Sequence, residues 1–170
     1  MFRIILFSLG LTLLSACAVP DSNENAGINP GDFAPNILTT DINGSSFDLN
    51  ELRGQHVLLD FWGSWCGPCI KEAPYIVALH NEFKDKGLEV VSVAIEKNDK
   101  TWKKAANRLG YSWEHQLVEV SRYVRFNEIA SAYEVTDIPS LFLIDPEGKI
   151  IASKIHAQEA RQLIAGRLGE

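Results

Sequence analysis

The chain is 170 residues long, with 22 acidic and 16 basic side chains and a formal net charge of -6. That length holds one domain plus a short appendage. An acidic chain without a Lys/Arg cluster lacks the phosphate-neutralising surface of a nucleic-acid binder, so no nucleic-acid partner is expected.

The first residues differ in kind from the rest. "MFRIILFSLGLTLLSAC" has one basic residue, Arg3, then an apolar run from Ile4 to Leu14, then Ser15 and Ala16 before Cys17. The apolar core is too short to cross a bilayer comfortably, so the segment reads as an export signal. Its end, Leu14-Ser15-Ala16-Cys17, resembles the lipobox of bacterial lipoproteins. That resemblance implies a signal peptide at 1–16 and an acylated Cys17 as the mature N-terminus, with the protein anchored at a membrane outside the cytoplasm. Cysteine counting agrees. Three cysteines leave one unpaired in an exported protein, and lipidation of Cys17 accounts for it. Several acyl chains hold a protein firmly where one is marginal. Residues 17–31 are polar, with two prolines and no apolar periodicity. They are expected to form a flexible tether to a domain spanning 32–170.

From Phe33 onward, strand and helix signals alternate. "DINGSS" offers an Asn-Gly turn between "NILTT" and "SFDL", a β-hairpin. "HVLLDFW" is a near-continuous apolar run, expected for a central strand covered on both faces. A helix is expected from about Pro68 to Lys86, with Ile70, Ala73, Ile76, Val77, Leu79 and Phe83 grouped on one side and Gly87 as the stop. "LEVVSVAIE" is a second central strand. Residues 99–110 form a helix with Asp99 as N-cap and Gly110 as stop. "WEHQLVEV" is a short strand, and Asn127–Tyr133 a further helix. "SLFLID" and "KIIASKI" pair as a hairpin, and "AQEARQLIAGRL" closes the chain as a helix. The pattern indicates an α/β fold, a three-layer α/β/α sandwich with a mixed β-sheet.

Cys66-Gly67-Pro68-Cys69 follows a strand and opens a helix, the context in which a C-x-x-C carries redox meaning. A thiol at a helix N-terminus feels the partial positive charge of free backbone N–H groups, which favours thiolate. Cys66 is therefore the expected nucleophile. Cys69, one turn inward, is the expected resolving thiol. A zinc half-site would need two further ligands at close spacing, whereas His56, His80, His115 and His156 are scattered, so no metal or other cofactor is expected. A purely structural disulfide over so short a loop would stabilise little.

"DFWGSWCGPC" with the downstream pair Ile138-Pro139 resembles the thioredoxin superfamily, from about Phe33 to Leu168. Within it the chain most resembles the TlpA/ResA-like membrane-tethered thiol-disulfide reductases. The export signal, the opening hairpin and the extra helix and strand "TWKKAANRLGYSWEHQLV" carry that likeness. The resemblance implies an N-terminal β-hairpin and an inserted helix-strand unit on the thioredoxin-like fold. It also implies that Trp65, Gly67, Pro68, Ile138 and Pro139 form the client-binding rim, with Pro139 as the cis-proline facing the cysteines. Pro74 would kink the first helix. Glu72 matches an acidic position near the active site of ResA-like members. Asp60 occupies the position of the buried acid in thioredoxin, where TlpA/ResA-like members often carry asparagine. Its role is either structural pairing with a lysine or general-base assistance to Cys69, with burial raising its pKa.

The expected partners follow from the same resemblance: oxidised client proteins, apocytochromes c among them, and a membrane thiol transporter as electron donor. A monomer is expected. Oxidase or isomerase activity would use the same residues at a different redox poise. A thiol peroxidase shares the scaffold, but peroxiredoxins present Thr or Ser three residues before their reactive cysteine, where this chain has Gly63. A copper-binding chaperone would use the two thiolates with His156 as third ligand.

Overall fold

The computed structural model describes residues 26–98 and 101–169. The expected signal peptide, Cys17, the first part of the expected tether and Asp99 lie outside the described residues. The elements are β1 (Leu38–Thr40), β2 (Ser46–Asp48), β3 (His56–Trp62), α1 (Gly67–Phe83), β4 (Leu88–Glu96), α2 (Trp102–Leu109), β5 (His115–Val120), α3 (Glu128–Ala132), β6 (Ser140–Ile144), β7 (Ile150–Ile155) and α4 (Ala157–Leu168).

Strands β3 to β7 form one sheet in the order β5-β4-β3-β6-β7. The pairs β3–β4 and β4–β5 are parallel, and β3–β6 and β6–β7 are antiparallel. This is the expected mixed sheet, with apolar layers on both faces. Successive strand residues point to opposite faces. Val57, Leu59 and Phe61 of β3 therefore join Val91, Val93, Tyr133 and Phe142 in one layer. Leu58 and Trp62 face the other way, onto Ala73, Ile76, Leu79 and Phe83 of α1. Asp60 falls between Leu58 and Trp62 on that second face. The alternation aims a carboxylate at the helix that carries the cysteines.

Helix α1 buries Cys69, Ala73, Ile76, Leu79 and Phe83 at spacings of three and four. Pro74 lies inside it without ending it. A short 3-10 turn, Lys84–Lys86, and Gly87 at φ 95° close the element, so the expected stop holds. Truncating Ile76 to alanine would open a cavity in this layer and cost roughly 2–5 kcal/mol.

The N-terminal hairpin is a separate two-stranded sheet. Asp41 closes its turn by accepting the amides of Asn43 and Ser45, each at 2.8 Å, and Gly44 supplies the left-handed φ of 83°. Tyr133 docks the segment before the hairpin by donating its hydroxyl to the Pro35 carbonyl at 2.6 Å.

Two local expectations change. Residues 26–31 belong to the folded unit rather than to a free tether: Gly27 N–H donates to the Phe33 carbonyl, Gly31 N–H donates to the Ile150 carbonyl, and Ile28 packs on the core. One apolar side chain between glycines is too little periodicity to read from sequence. Helix α2 begins at Trp102 with Thr101 in the cap position, and the Thr101 side chain makes no capping bond. Its hydroxyl instead lies 3.3 Å from Ser64 Oγ, beside the cysteine loop.

Candidate active site

Cys66 and Cys69 form a disulfide. Cys66 occupies the N-cap of α1, and its sulfur accepts the Cys69 backbone N–H at 3.1 Å. Gly67 and Pro68 supply the first helical positions, where a proline costs no needed donor. Exposure barely separates the two cysteines, at 4% and 2%. Both belong to the apolar layer under α1, and what separates them is the cap: Cys66 precedes the helix and its sulfur accepts an N–H of the first turn, while Cys69 lies inside the helix. The Ile138 carbonyl oxygen lies 3.5 Å from Cys66 Sγ. A free thiol there would donate to it; the disulfide sulfur cannot. The Ile138-Pro139 peptide bond is cis, as the resemblance implied.

Asp60 is 2% exposed and in register with Ser92 across β3 and β4. Ser92 Oγ donates to Asp60 Oδ2 at 3.2 Å and accepts from Trp113 Nε1 at 3.1 Å. Tyr111 adds a second hydroxyl. Burial pushes the Asp60 pKa up to about 7, against the pull of the Ser92 and Tyr111 hydrogen bonds, and the charge of Glu72 adds to the rise. Among the described residues no lysine or arginine partners Asp60; its partners there are hydroxyls, not the lysine of a structural pair. Burial and the adjacent Asp60 also push the Tyr111 phenol up, which keeps it a donor. Beside the acid, Tyr111 meets Trp62 edge to face and Trp113 at a tilt, with centroids 4.9 Å and 4.3 Å apart.

Glu72 reaches away from the sulfurs to the start of α4. Its Oε1 accepts the Ala157 backbone N–H at 2.6 Å and lies 3.4 Å from His156 Nδ1. His156, weighed as a third copper ligand, thus stands beside Glu72 at the α4 N-cap. A groove of about 700 Å³ opens between α1 and α4, lined by Pro68, Glu72, Tyr75, Pro139 and His156 among others. Both prolines of the redox centre border it.

On the opposite side, Trp65 is 46% exposed, donates Nε1 to the Ile95 carbonyl at 2.9 Å, and lies under Lys97 Nζ at 4.8 Å from the ring centroid. Gly67 and Pro68 are exposed beside it. The expected rim residues Trp65, Gly67, Pro68, Ile138 and Pro139 therefore surround one disulfide. A Cβ at Gly63 would lie 2.9 Å from the Ile95 carbonyl oxygen and 3.0 Å from Trp65 Nε1. The backbone leaves no room there for the hydroxyl side chain a peroxiredoxin carries.

Sequence reasoning missed Glu96, Ser92, Tyr111 and Trp113. Glu96 is 1% exposed and binds Ser64 in the loop before Cys66. Ser92 and Glu96 are the polar residues inside the apolar run 90–96, four apart and so on one strand face. That spacing was the available signal.

A redox-active cysteine pair at a helix start, opposite a cis-proline on a five-stranded mixed sheet, defines a thioredoxin-fold thiol-disulfide oxidoreductase. Similarity to known proteins agrees. The AhpC/TSA family profile matches residues 30–153. The thiol-disulfide oxidoreductase ResA of Bacillus subtilis (strain 168) is 34% identical, over 88% of this chain and 83% of its own length. The thioredoxin domain of a thiol-disulfide oxidoreductase from Bacteroides vulgatus superposes with a TM-score of 0.74 at 31% identity, over 84% of this chain and all of that one. A structure described as a putative thiol:disulfide interchange protein DsbE from Chlorobium tepidum gives a TM-score of 0.67 at 26% identity, over 84% of this chain and 100% of its own. The chain belongs to the AhpC/TSA family, on its ResA-like thiol-disulfide oxidoreductase branch. It is an enzyme of dithiol-disulfide exchange.

Proposed function

We propose that the protein is an exported, membrane-anchored reductase of protein disulfides. The observation that carries the disulfide exchange is the placement of Cys66 at the α1 N-cap, against the Ile138-Pro139 loop and on the sheet face that holds Asp60; export and anchoring are supported by the likeness of Leu14-Ser15-Ala16-Cys17 to a lipobox. In the forward step the Cys66 thiolate attacks one sulfur of a client disulfide, forming a Cys66–client mixed disulfide and releasing the client's other sulfur as a thiolate. Asp60, with a pKa of about 7, accepts the Cys69 proton. The Cys69 thiolate then attacks Cys66 Sγ, the Cys66–Cys69 disulfide closes, and the client leaves with its second thiol. Two electrons pass from the dithiol to the client. The exposed Trp65 ring and the cis-proline loop present an apolar face and unpaired backbone groups to an extended client segment.

Outside the cytoplasm, glutathione and thioredoxin are absent as reductants. The pair is therefore recharged by a membrane thiol transporter, and the acyl group on Cys17 holds the domain near it. Apocytochromes c are among the proposed clients, a reading supported by the likeness to ResA and to the putative DsbE. No helix among the described residues is long and apolar enough to cross a membrane. Insulin reduction with a dithiol donor tests the activity. Wild type accelerates it and the Cys66→Ser, Cys69→Ser double variant does not; equal rates would contradict the reading.

A further inference from the structure

The end of β4 grips the loop that delivers Cys66. Ser64 donates its backbone N–H to Glu96 Oε1 at 2.6 Å and its hydroxyl to Oε2 at 2.8 Å. The Thr101 hydroxyl lies 3.3 Å from Ser64 Oγ. One residue further on, Trp65 Nε1 donates to the Ile95 carbonyl, the same oxygen that forbids a side chain at Gly63. Residues 63, 64 and 65 are thus fixed against residues 95 and 96 by a close backbone approach and three hydrogen bonds. Both carboxylate oxygens of Glu96 act as acceptors, and Ser121 N–H donates to its backbone carbonyl.

A buried carboxylate is a costly way to hold a serine, since a glutamine has the same shape and can pair with both groups. Its charge is the property a glutamine would lack. We propose that Glu96 is a positioning residue of the redox centre: it fixes the cysteine loop through Ser64, and its negative charge makes the Cys66 thiol less acidic. This deepens the reductase reading and rests on it. The N-terminus of α1 stabilises the Cys66 thiolate. A stabilised thiolate makes a disulfide a stronger oxidant. An anion beside the loop opposes that effect and leaves the dithiol the readier electron donor. Among the described residues, Lys97 lies over Trp65 next to the loop, and Asp60 and Glu72 lie on the α1 side.

Glu96→Gln isolates the charge. Its carbonyl accepts the Ser64 N–H, its amide donates to Ser64 Oγ, and Lys97, Asp60 and Glu72 stay in place. Reduced wild type and variant are alkylated with iodoacetamide across a pH series. Each is also equilibrated in glutathione, where protein disulfide plus two glutathione thiols gives protein dithiol plus glutathione disulfide. In the folded variant, Cys66 alkylation below its pKa is at least threefold faster. The equilibrium moves at least threefold towards dithiol, roughly 14 mV less reducing. Coincident profiles in a folded variant overturn the proposal. Should the variant not fold, the wild-type Glu96 carboxyl carbon is followed by NMR as Cys66 titrates: a coupled displacement supports the proposal and a flat response overturns it. Insulin reduction by wild type is scored separately. Absence of that activity with a Glu96-dependent Cys66 contradicts only the reductase reading. Activity with a Glu96-independent Cys66 contradicts only the Glu96 assignment.

Discussion

Ser92 stands opposite Asp60 in the β3–β4 register and donates a hydrogen bond to it at 3.2 Å. A buried carboxylate usually has a cation for a partner; this one has hydroxyls. Hydroxyl donors soften the cost of the charge without cancelling it, which is why the Asp60 pKa settles at about 7. A carboxyl half-ionised near neutral pH can take a proton and return it.

Stability is expected to fall as pH rises through the Asp60 window. Between the unfolded value of 3.8 and the folded value of about 7, the native state holds a proton that the unfolded chain has released. The loss accumulates to roughly 4 kcal/mol by pH 7 and levels off above it. Asp60→Asn removes that slope, raises the thermal midpoint at neutral pH and slows the Cys69 step. Melts at pH 4 to 9, beside single-turnover resolution of a mixed disulfide, check both effects. A less stable yet equally fast variant would mean that the carboxylate is only structural.

Tyr111→Phe withdraws one of the two hydroxyls that favour the charged form. Hydrogen bonds to a charged group contribute about 1.5–3 kcal/mol. The pH midpoint of the resolving step is expected to move up by roughly one unit or more, with the slope of stability against pH extended to match. A midpoint that stays in place would mean that Asp60 does not govern the step.

Glu72 bonds the first amide of α4, so Glu72→Ala is expected to cost about 1 kcal/mol of stability through the lost cap. Glu72→Gln keeps an acceptor and loses less. Thermal melts rank the three proteins. Glu72 charge also raises the Asp60 pKa, so both variants move the resolving pH midpoint down. Melts that do not distinguish alanine from glutamine would place the stabilisation elsewhere.

The division of labour between the cysteines predicts asymmetric trapping. Cys69→Ser accumulates mixed disulfides through Cys66, and Cys66→Ser accumulates almost none. Under the proposed lipid anchor, Cys17→Ser is expected to release the protein from the membrane fraction or to leave the proposed signal uncut. Wild type found soluble after export, with no acyl mass on Cys17, would remove the anchor from the account.

The fold was readable because its strands are apolar runs between glycine and proline breaks. The hairpin at Asn43-Gly44, the stops at Gly87 and Gly110 and the strand–C-x-x-C–helix order all depend on neighbouring residues. What stayed hidden depends on residues distant in sequence. Asp60 meets Ser92 from another strand, and Glu72 caps a helix 85 positions away. Helix α2 starts at Trp102 rather than near residue 99, and the Thr101 hydroxyl at its cap position lies 3.3 Å from Ser64 Oγ, a contact from a distant part of the chain. Glu96 was overlooked inside "LEVVSVAIE", where an apolar run hid a period of two.

The reduction potential of the Cys66–Cys69 pair in defined glutathione buffers tests the central claim most directly. A reductase is expected nearer the thioredoxin value of about -270 mV than the roughly -120 mV of the strong oxidants of the superfamily. A potential above about -150 mV would contradict the account and make the protein an oxidase on the same scaffold.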